Sequence, residues 1–588
     1  MRRSYRLVAL SVLAAYAHGA MFKVVAPGTK GNVQVSVGGQ RTSLSAHDAD
    51  IPYYTGEASA NSGDKYKYIV DGKEEVFERT LQGDGTRNDV WNRPVTYANL
   101  PDMGHPIENS EWTRGGPKDP IWDDNYIPSI FITGNVDNLR TMVEDVPKGR
   151  QTVKFTIIGP DNVQTVENVQ FGIHGAGKKH NNAKQSWQWS LPEGQYVAKR
   201  NWFKIRHMEE DPTQMREKLY SDLLYAVGAP ANRANMVRFF INGEGYGTFN
   251  MLDDVSEYSY IRAVFYDGKP PNPMGPLYDG ASGADFAYSD DSDHYSAWIP
   301  NKDSPRDQLA IKPLTETLKN TNMKDDTQVA ELGKQFAIEP FLRFMVIEYL
   351  TADWDGYWMQ QTNDGAYYDP TEKMWHYLGQ DYDATFGVNL AEPEGRDFVK
   401  VSYKEFPKRY PKAVMINRLL ENDKMRTKFE TYLKQTVSKL FNNETLTPRV
   451  LAYREFIKHD LEWDRSLAQR SPGINFGWTF AQTSENLWNG VSAPNQNGGG
   501  ADWGLVEWIA AKAQAVIQEF GIQIEKPTTG SRSTSNRGNI IDVDALNRDQ
   551  GISPANAQQE NLGLTTTSGA TRALPTLGAF ALAAIFLL

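Results

Sequence analysis

At 588 residues the chain can hold several domains, each with a sizeable core. A formal net charge of −11 excludes the basic footprint of a nucleic-acid-binding protein. A cysteine count of 0 excludes disulfide-stapled modules, thiolate metal sites and cysteine nucleophiles together.

In chain order, Arg2, Arg3 and Arg6 precede the apolar Leu7-Val8-Ala9-Leu10, and small residues follow at Ala15, Ala17, Gly19 and Ala20. That order predicts a secretory signal peptide over residues 1–20. Short alternating runs fill residues 21–100, among them Asn32-Val33-Gln34-Val35-Ser36-Val37, Tyr66-Lys67-Tyr68-Ile69-Val70 and Val76-Phe77-Glu78-Arg79. With Asp71-Gly72 as a hairpin turn, they predict a small β-sandwich. Trp91 either stacks on a sugar or is buried in that sandwich.

Residues 101–150, rich in Pro, Asp and Trp at first, form a connector and the start of a mixed domain that runs from 151 to 525. Val153-Lys154-Phe155-Thr156-Ile157-Ile158, Val169-Gln170-Phe171-Gly172-Ile173 and Ser186-Trp187-Gln188-Trp189 read as strands. The loop between the last two, His174-Gly175-Ala176-Gly177-Lys178-Lys179-His180, suits either a phosphate cradle or a plain polar hairpin. Asp211-Pro212 opens a helix closed by Gly228. Residues 236–252 form a hairpin turning at Asn242-Gly243, and residues 270–307 read as a long surface insertion. Helical periodicity covers residues 414–441, 447–468 and 501–520.

The densest chemistry lies in residues 354–390. Ile338, Phe341, Leu342, Met345, Val346 and Tyr349 are apolar at helical spacing, so a buried helix ends near Thr351. It delivers Asp353 and Asp355 to its C-terminal rim. Asp369-Pro370-Thr371-Glu372 has turn chemistry, so the flanking segments form a hairpin whose ends bring Asp355 and Asn363 toward Asp381 and Asp383. Carboxylates converging with amides suit a hard divalent cation; the other reading is a set of solvated turn acids.

Asn443-Glu444-Thr445 is an N-glycosylation sequon at Asn443. Residues 526–570, rich in Ser, Thr, Asn and Gly, predict a disordered stalk. Small residues at Ser568-Gly569-Ala570 before an apolar end predict a glycosylphosphatidylinositol attachment signal, with Ser568 as the anchor and residues 571–588 removed.

The chain resembles the CotH family of spore-coat and surface proteins over roughly residues 169–480. The markers are Lys184-Gln185-Ser186-Trp187, Asp211-Pro212-Thr213-Gln214-Met215-Arg216, Asn242-Gly243-Glu244-Gly245-Tyr246-Gly247, Trp354-Asp355 and Asp381-Tyr382-Asp383-Ala384-Thr385-Phe386-Gly387. Gln361-Thr362-Asn363-Asp364-Gly365 resembles the fungal Mucorales branch, in which that run is linked to invasion of host cells.

The resemblance implies an α+β chain: a β-sandwich, then an atypical protein-kinase-like domain of two lobes, then the stalk. It further implies ATP and Mg²⁺ as cofactors and a secreted or surface protein as substrate. By position, Lys184 would neutralise nucleotide phosphates and Asp355 would be the catalytic base. Asp381, Asp383 and Gln360 would serve the metal, while Met251 and Asp253 would line the adenine side. Phosphoryl transfer asks for that set: positioning, charge neutralisation and one base. The alternative is a surface adhesin or invasin that displays residues 361–365 (Gln361, Thr362, Asn363, Asp364, Gly365) to a host-cell receptor on a kinase-fold scaffold. A third reading is carbohydrate binding or cleavage through the N-terminal sandwich and the paired acids. In each case the membrane is met only through the lipid anchor.

Overall fold

The computed structural model describes residues 19–108, 110–175, 182–495, 500–525, 538, 539 and 541. Residues 1–18 of the expected leader, most of the Gly- and Lys-rich loop, most of the expected stalk and the Ser568 anchor lie outside the described residues; Gly19 and Ala20 begin a strand, and the Asn539 carbonyl accepts from the Asn99 N–H at 2.8 Å. The chain divides into two units, one of residues up to 97 with 160–162, the other of the remainder.

In the first unit, period-2 alternation turns one face of each strand inward. Gly19–Val25, Ile51–Ser59, Ser45–Asp48 and Asp89–Val90 form one sheet. Val33–Val37, Gln40–Ser43, Lys65–Val70, Lys73–Glu74 and Arg79–Thr80 form the other. Phe22, Val24, Val35, Tyr54, Tyr66 and Tyr68 from both sheets share one core, and half-buried Trp91 packs against it. The Asp71-Gly72 turn has φ of 49° and 80°, the left-handed pair of a type I′ hairpin. The strand expected over residues 76–79 shrinks to Arg79–Thr80. Buried Arg79 draws the segment inward to Glu75, Asp89 and Thr96, because a buried guanidinium must have its donors met.

The second unit starts with a closed barrel. Its strands run in the order Ser129–Thr133, Arg150–Ile158, Val163–Ile173, Trp187–Ser190, Trp202–Arg206, Glu244–Leu252 and Ala234–Ile241. Phe155, Phe171, Trp187, Trp189, Phe203, Phe239 and Phe249 fill it. Asn242-Gly243 turns the last hairpin with φ of 48° and 80°. Sequence reading missed the strand Trp202–Arg206, whose alternation sends Phe203 and Ile205 into the barrel and so Lys204 and Arg206 to its outer face.

The helix expected from Asp211 begins at Arg216 and runs to Val227. Asp211 still caps it, accepting from the Met215 and Arg216 backbone N–H groups at 2.8 Å. Gly228 ends it at φ 76°, where a Cβ would lie 1.4 Å from the Ser110 carbonyl oxygen.

Residues 270–307 are not a surface insertion. Leu277–Gly280 lies between Trp298–Pro300 and Asp364–Asp369 in a four-stranded sheet completed by Met374–Gly379. Its Pro- and Gly-rich flanks hid buried Tyr278, Tyr295 and Trp298. Behind the sheet lies helix Ile338–Thr351, buried along nearly its whole length. The later helices include Val414–Glu421, Asp423–Lys439, Leu446–Ser466 and Leu505–Phe520. Among the described residues, no helix is long and apolar enough to cross a membrane.

Candidate functional site

Helix Ile338–Thr351 ends where Ala352 turns left-handed at φ 48°, so Asp353 and Asp355 leave its C-terminal rim. Glu348, one turn earlier, is 3% exposed and accepts from the Tyr357 and Trp358 backbone N–H groups at 2.7 and 3.2 Å. Gly356 admits this crowding: a Cβ there would meet Glu348 Oε1 at 2.5 Å and Asp353 Cγ at 2.8 Å. The hairpin Asp364–Asp369/Met374–Gly379 forms as its turn chemistry demands, with Asp369 Oδ1 accepting from the Thr371 N–H at 2.8 Å. At the open end the Gln380 N–H donates to the Asn363 carbonyl at 2.9 Å, and Asn363 Nδ2 donates to the Asp355 carbonyl at 3.1 Å. Asp381 follows in the left-handed region at φ 63°, a strained position for a non-glycine residue.

The cation facing these acids is Arg206. Its Nη2 lies 2.6 Å from Asp381 Oδ1 and 2.7 Å from Asp383 Oδ2. Lys204, two residues earlier on the same face, stands 3.6 Å from Asp254. Beside them is His174, whose Nδ1 is 3.0 Å from Gln188 Oε1. Burial, helped by Lys204, pulls that imidazole down to about 4, so it is neutral at physiological pH.

Acids outnumber these two cations. Burial pushes Glu217 up to about 8 against the pull of Arg206, and burial likewise pushes Glu348 up to about 8. Burial and then Glu348 and Asp355 raise Asp353; burial and then Glu348 and Asp279 raise Asp364. Both oxygens of Glu217, both of Asp364 and Oδ1 of Asp353 lack a hydrogen-bond partner among the described residues. Buried oxygens without donors, all of them hard ligands, fit a divalent cation such as Mg²⁺. The hairpin turn differs. Asp369, Glu372 and His376 offer ligand atoms within 4.8 Å of one another, but Arg114 already contacts both carboxylates.

The expected site residues do not all gather here. Asp381 and Asp383 meet at Arg206; Asp355 is half-buried on the helix rim, near enough to raise Glu348; Gln360 is exposed. Lys184 is a correction. Its Nζ donates to Asp464 Oδ1 at 2.6 Å and the Thr248 carbonyl at 2.7 Å, making a buried joint between barrel and helix Leu446–Ser466. Met251 faces the barrel core and is 0% exposed, so it offers no edge to a ligand. Asp253 is held in a two-pronged pair by Arg200 at 2.7 and 2.9 Å.

The run 361–365 is not displayed. Gln361, Asp364 and Gly365 are buried, Gly365 pairs with Asp279 and Leu378 in the sheet, and only Thr362 and Asn363 are half exposed. Asn443 is half-buried and accepts from the Thr447 hydroxyl at 3.0 Å. Sequence reading missed Arg206, Lys204 and Glu217; two cations at period 2 around Phe203 and Ile205 were the available signal.

Comparison with known proteins matches residues 171–487 to the family described as CotH kinase protein. The chain is 56% identical to the protein named Invasin CotH3 of Rhizopus delemar over 538 residues, 90% of this chain and 89% of that one. It is 53% identical to Invasin CotH2 of the same organism over 588 residues, 97% of each chain. It is 22% identical to the inner spore coat protein H of Bacillus subtilis over 256 residues, 42% of this chain and 66% of that one.

Proposed function

This chain belongs to the CotH family, in its fungal invasin branch, and from that premise we propose that it is a cell-surface protein whose acid cluster transfers a phosphoryl group from Mg²⁺–ATP to protein hydroxyls. The observation that carries the reading is Arg206 between Asp381 and Asp383, amid buried carboxylates that lack donors. Asp381 and Asp383 would hold the Mg²⁺, which when bound neutralises phosphate charge. Lys204, on the outer face of the barrel, binds phosphate oxygens. Asp355 takes the proton from the acceptor hydroxyl. The test is incubation with labelled ATP and Mg²⁺. Label above the Asp381→Ala background is expected; none above it overturns the reading.

The names of the Rhizopus relatives favour a second role at the same surface: attachment to host cells, with the kinase-like fold as scaffold. Binding of the purified protein to host cells that survives Asp381→Ala supports it, and failure to bind removes it. Attachment to the membrane through a glycosylphosphatidylinositol anchor is expected to end on treatment with a phosphatidylinositol-specific phospholipase.

A further inference from the structure

Arg206 presses on two aspartates from a side chain that is 13% exposed. A buried guanidinium does not leave such partners unless another acceptor waits for it, because a stripped buried cation is costly. The other acceptor is present. Glu217, in the first turn of helix Arg216–Val227, is 1% exposed, and neither of its oxygens has a hydrogen-bond partner among the described residues. Arg206 is the foremost cation acting on it, ahead of Lys204, while Asp381 and Asp383 act on it as like charges. Asn250 stands directly opposite Arg206 across the strand pair, and its amide oxygen and nitrogen also lack partners among the described residues. Acceptors that Arg206 does not use therefore flank it on a helix and on a neighbouring strand. Lys204 stands closest to Asp254, at 3.6 Å.

We propose that Arg206 is a tethered competitor for the cation site. It sits on Asp381 and Asp383 when those acids hold no metal, and moves to Glu217 and Asn250 when a divalent cation takes them. This deepens the phosphotransfer reading and rests on it. The affinity of the acids for a cation is then set by a residue that is not a ligand: Arg206 lowers it, and Glu217 recovers part of the loss by receiving the displaced guanidinium.

The test is calorimetric titration of the purified full chain with Mn²⁺ alone, no nucleotide present. Wild type is expected to bind and Asp381→Ala to lose binding. Arg206→Gln, which keeps polarity but removes the competing charge, is expected to bind about tenfold more tightly than wild type. Glu217→Gln, which takes away the carboxyl acceptor, is expected to bind several-fold more weakly. Arg206→Lys keeps a cation on a shorter side chain without the guanidinium, so an affinity between wild type and Arg206→Gln is expected; this variant decides the matter if Arg206→Gln fails to fold. If wild type binds, Asp381→Ala does not, and neither Arg206 variant binds more tightly than wild type, the competitor proposal falls while the cation site stands. If neither wild type nor the Arg206 variants bind Mn²⁺, both fall.

Discussion

Lys184, just before a barrel strand, and Arg206, at the end of another, are cations with little exposure, and each holds aspartate from a segment beyond the barrel. Around Lys184 the account balances. Asp464 receives the ammonium at 2.6 Å, the Thr248 N–H at 2.8 Å and Gln214 Nε2 at 2.9 Å. Burial works against that carboxylate, yet Lys184 and Arg465 hold it below its ordinary range. Around Arg206 donors and acceptors go unmatched: Glu217 and Asp353 are raised and short of partners, and Arg206 Nε has no acceptor among the described residues. A saturated ion pair is a structural joint. A surplus of buried acid marks a place where something else is meant to bind.

The comparison can be broken most severely at its balanced end. Lys184→Met takes from buried Asp464 the nearer of its two cations, leaving only Arg465 at 3.5 Å, and is expected to cost about 3–5 kcal/mol in denaturant unfolding. Mn²⁺ binding by the folded fraction is expected to persist, and its loss would return Lys184 to the site. Next, Gln214→Ala removes a hydrogen bond to the charged Asp464 and is expected to cost about 1.5–3 kcal/mol by the same measurement.

The smallest effect sharpens the surplus end. Glu217 ordinarily titrates near 4.5 and in the fold near 8, so the folded state holds its proton over that interval. Its stabilising protonated form is fully present at low pH and is lost as pH rises through the folded value. The melting temperature is therefore expected to fall on going from about pH 5 to about pH 8, as the unfolding free energy declines by on the order of 1 kcal/mol per pH unit for each such group. Glu217→Gln flattens the slope, while Glu348, raised in the same direction, maintains the remainder. A melting temperature that rises over this interval would contradict the surplus.

Local chemistry was legible wherever it acts over a few residues. Asp71-Gly72, Asn242-Gly243, the Asp369 turn and the Gly228 stop all carry their own backbone preference, and all formed. Helix Ile338–Thr351 was legible from its periodicity. Leu277–Gly280 was not, since its neighbours in sequence are Pro and Gly and its strand character comes from Asp364–Asp369, far along the chain. The site divided along the same line. Asp381 and Asp383 were found because a hairpin joins them to Asp355 and Asn363 over a short loop. Their cation was misassigned because Lys184 and Arg206 are both cations of barrel segments, and nothing local tells them apart.

Sequence by itself determined the turns, the amphipathic helices, the alternating strands and the concentration of acid in one hairpin, since each depends on φ preference or on side-chain period. Tertiary structure alone decided which cation meets which acid. Charge pairing inside a fold is set by distance and by competing donors, and barrel closure puts Arg206, 175 or more residues before its partners, where Lys184 was expected.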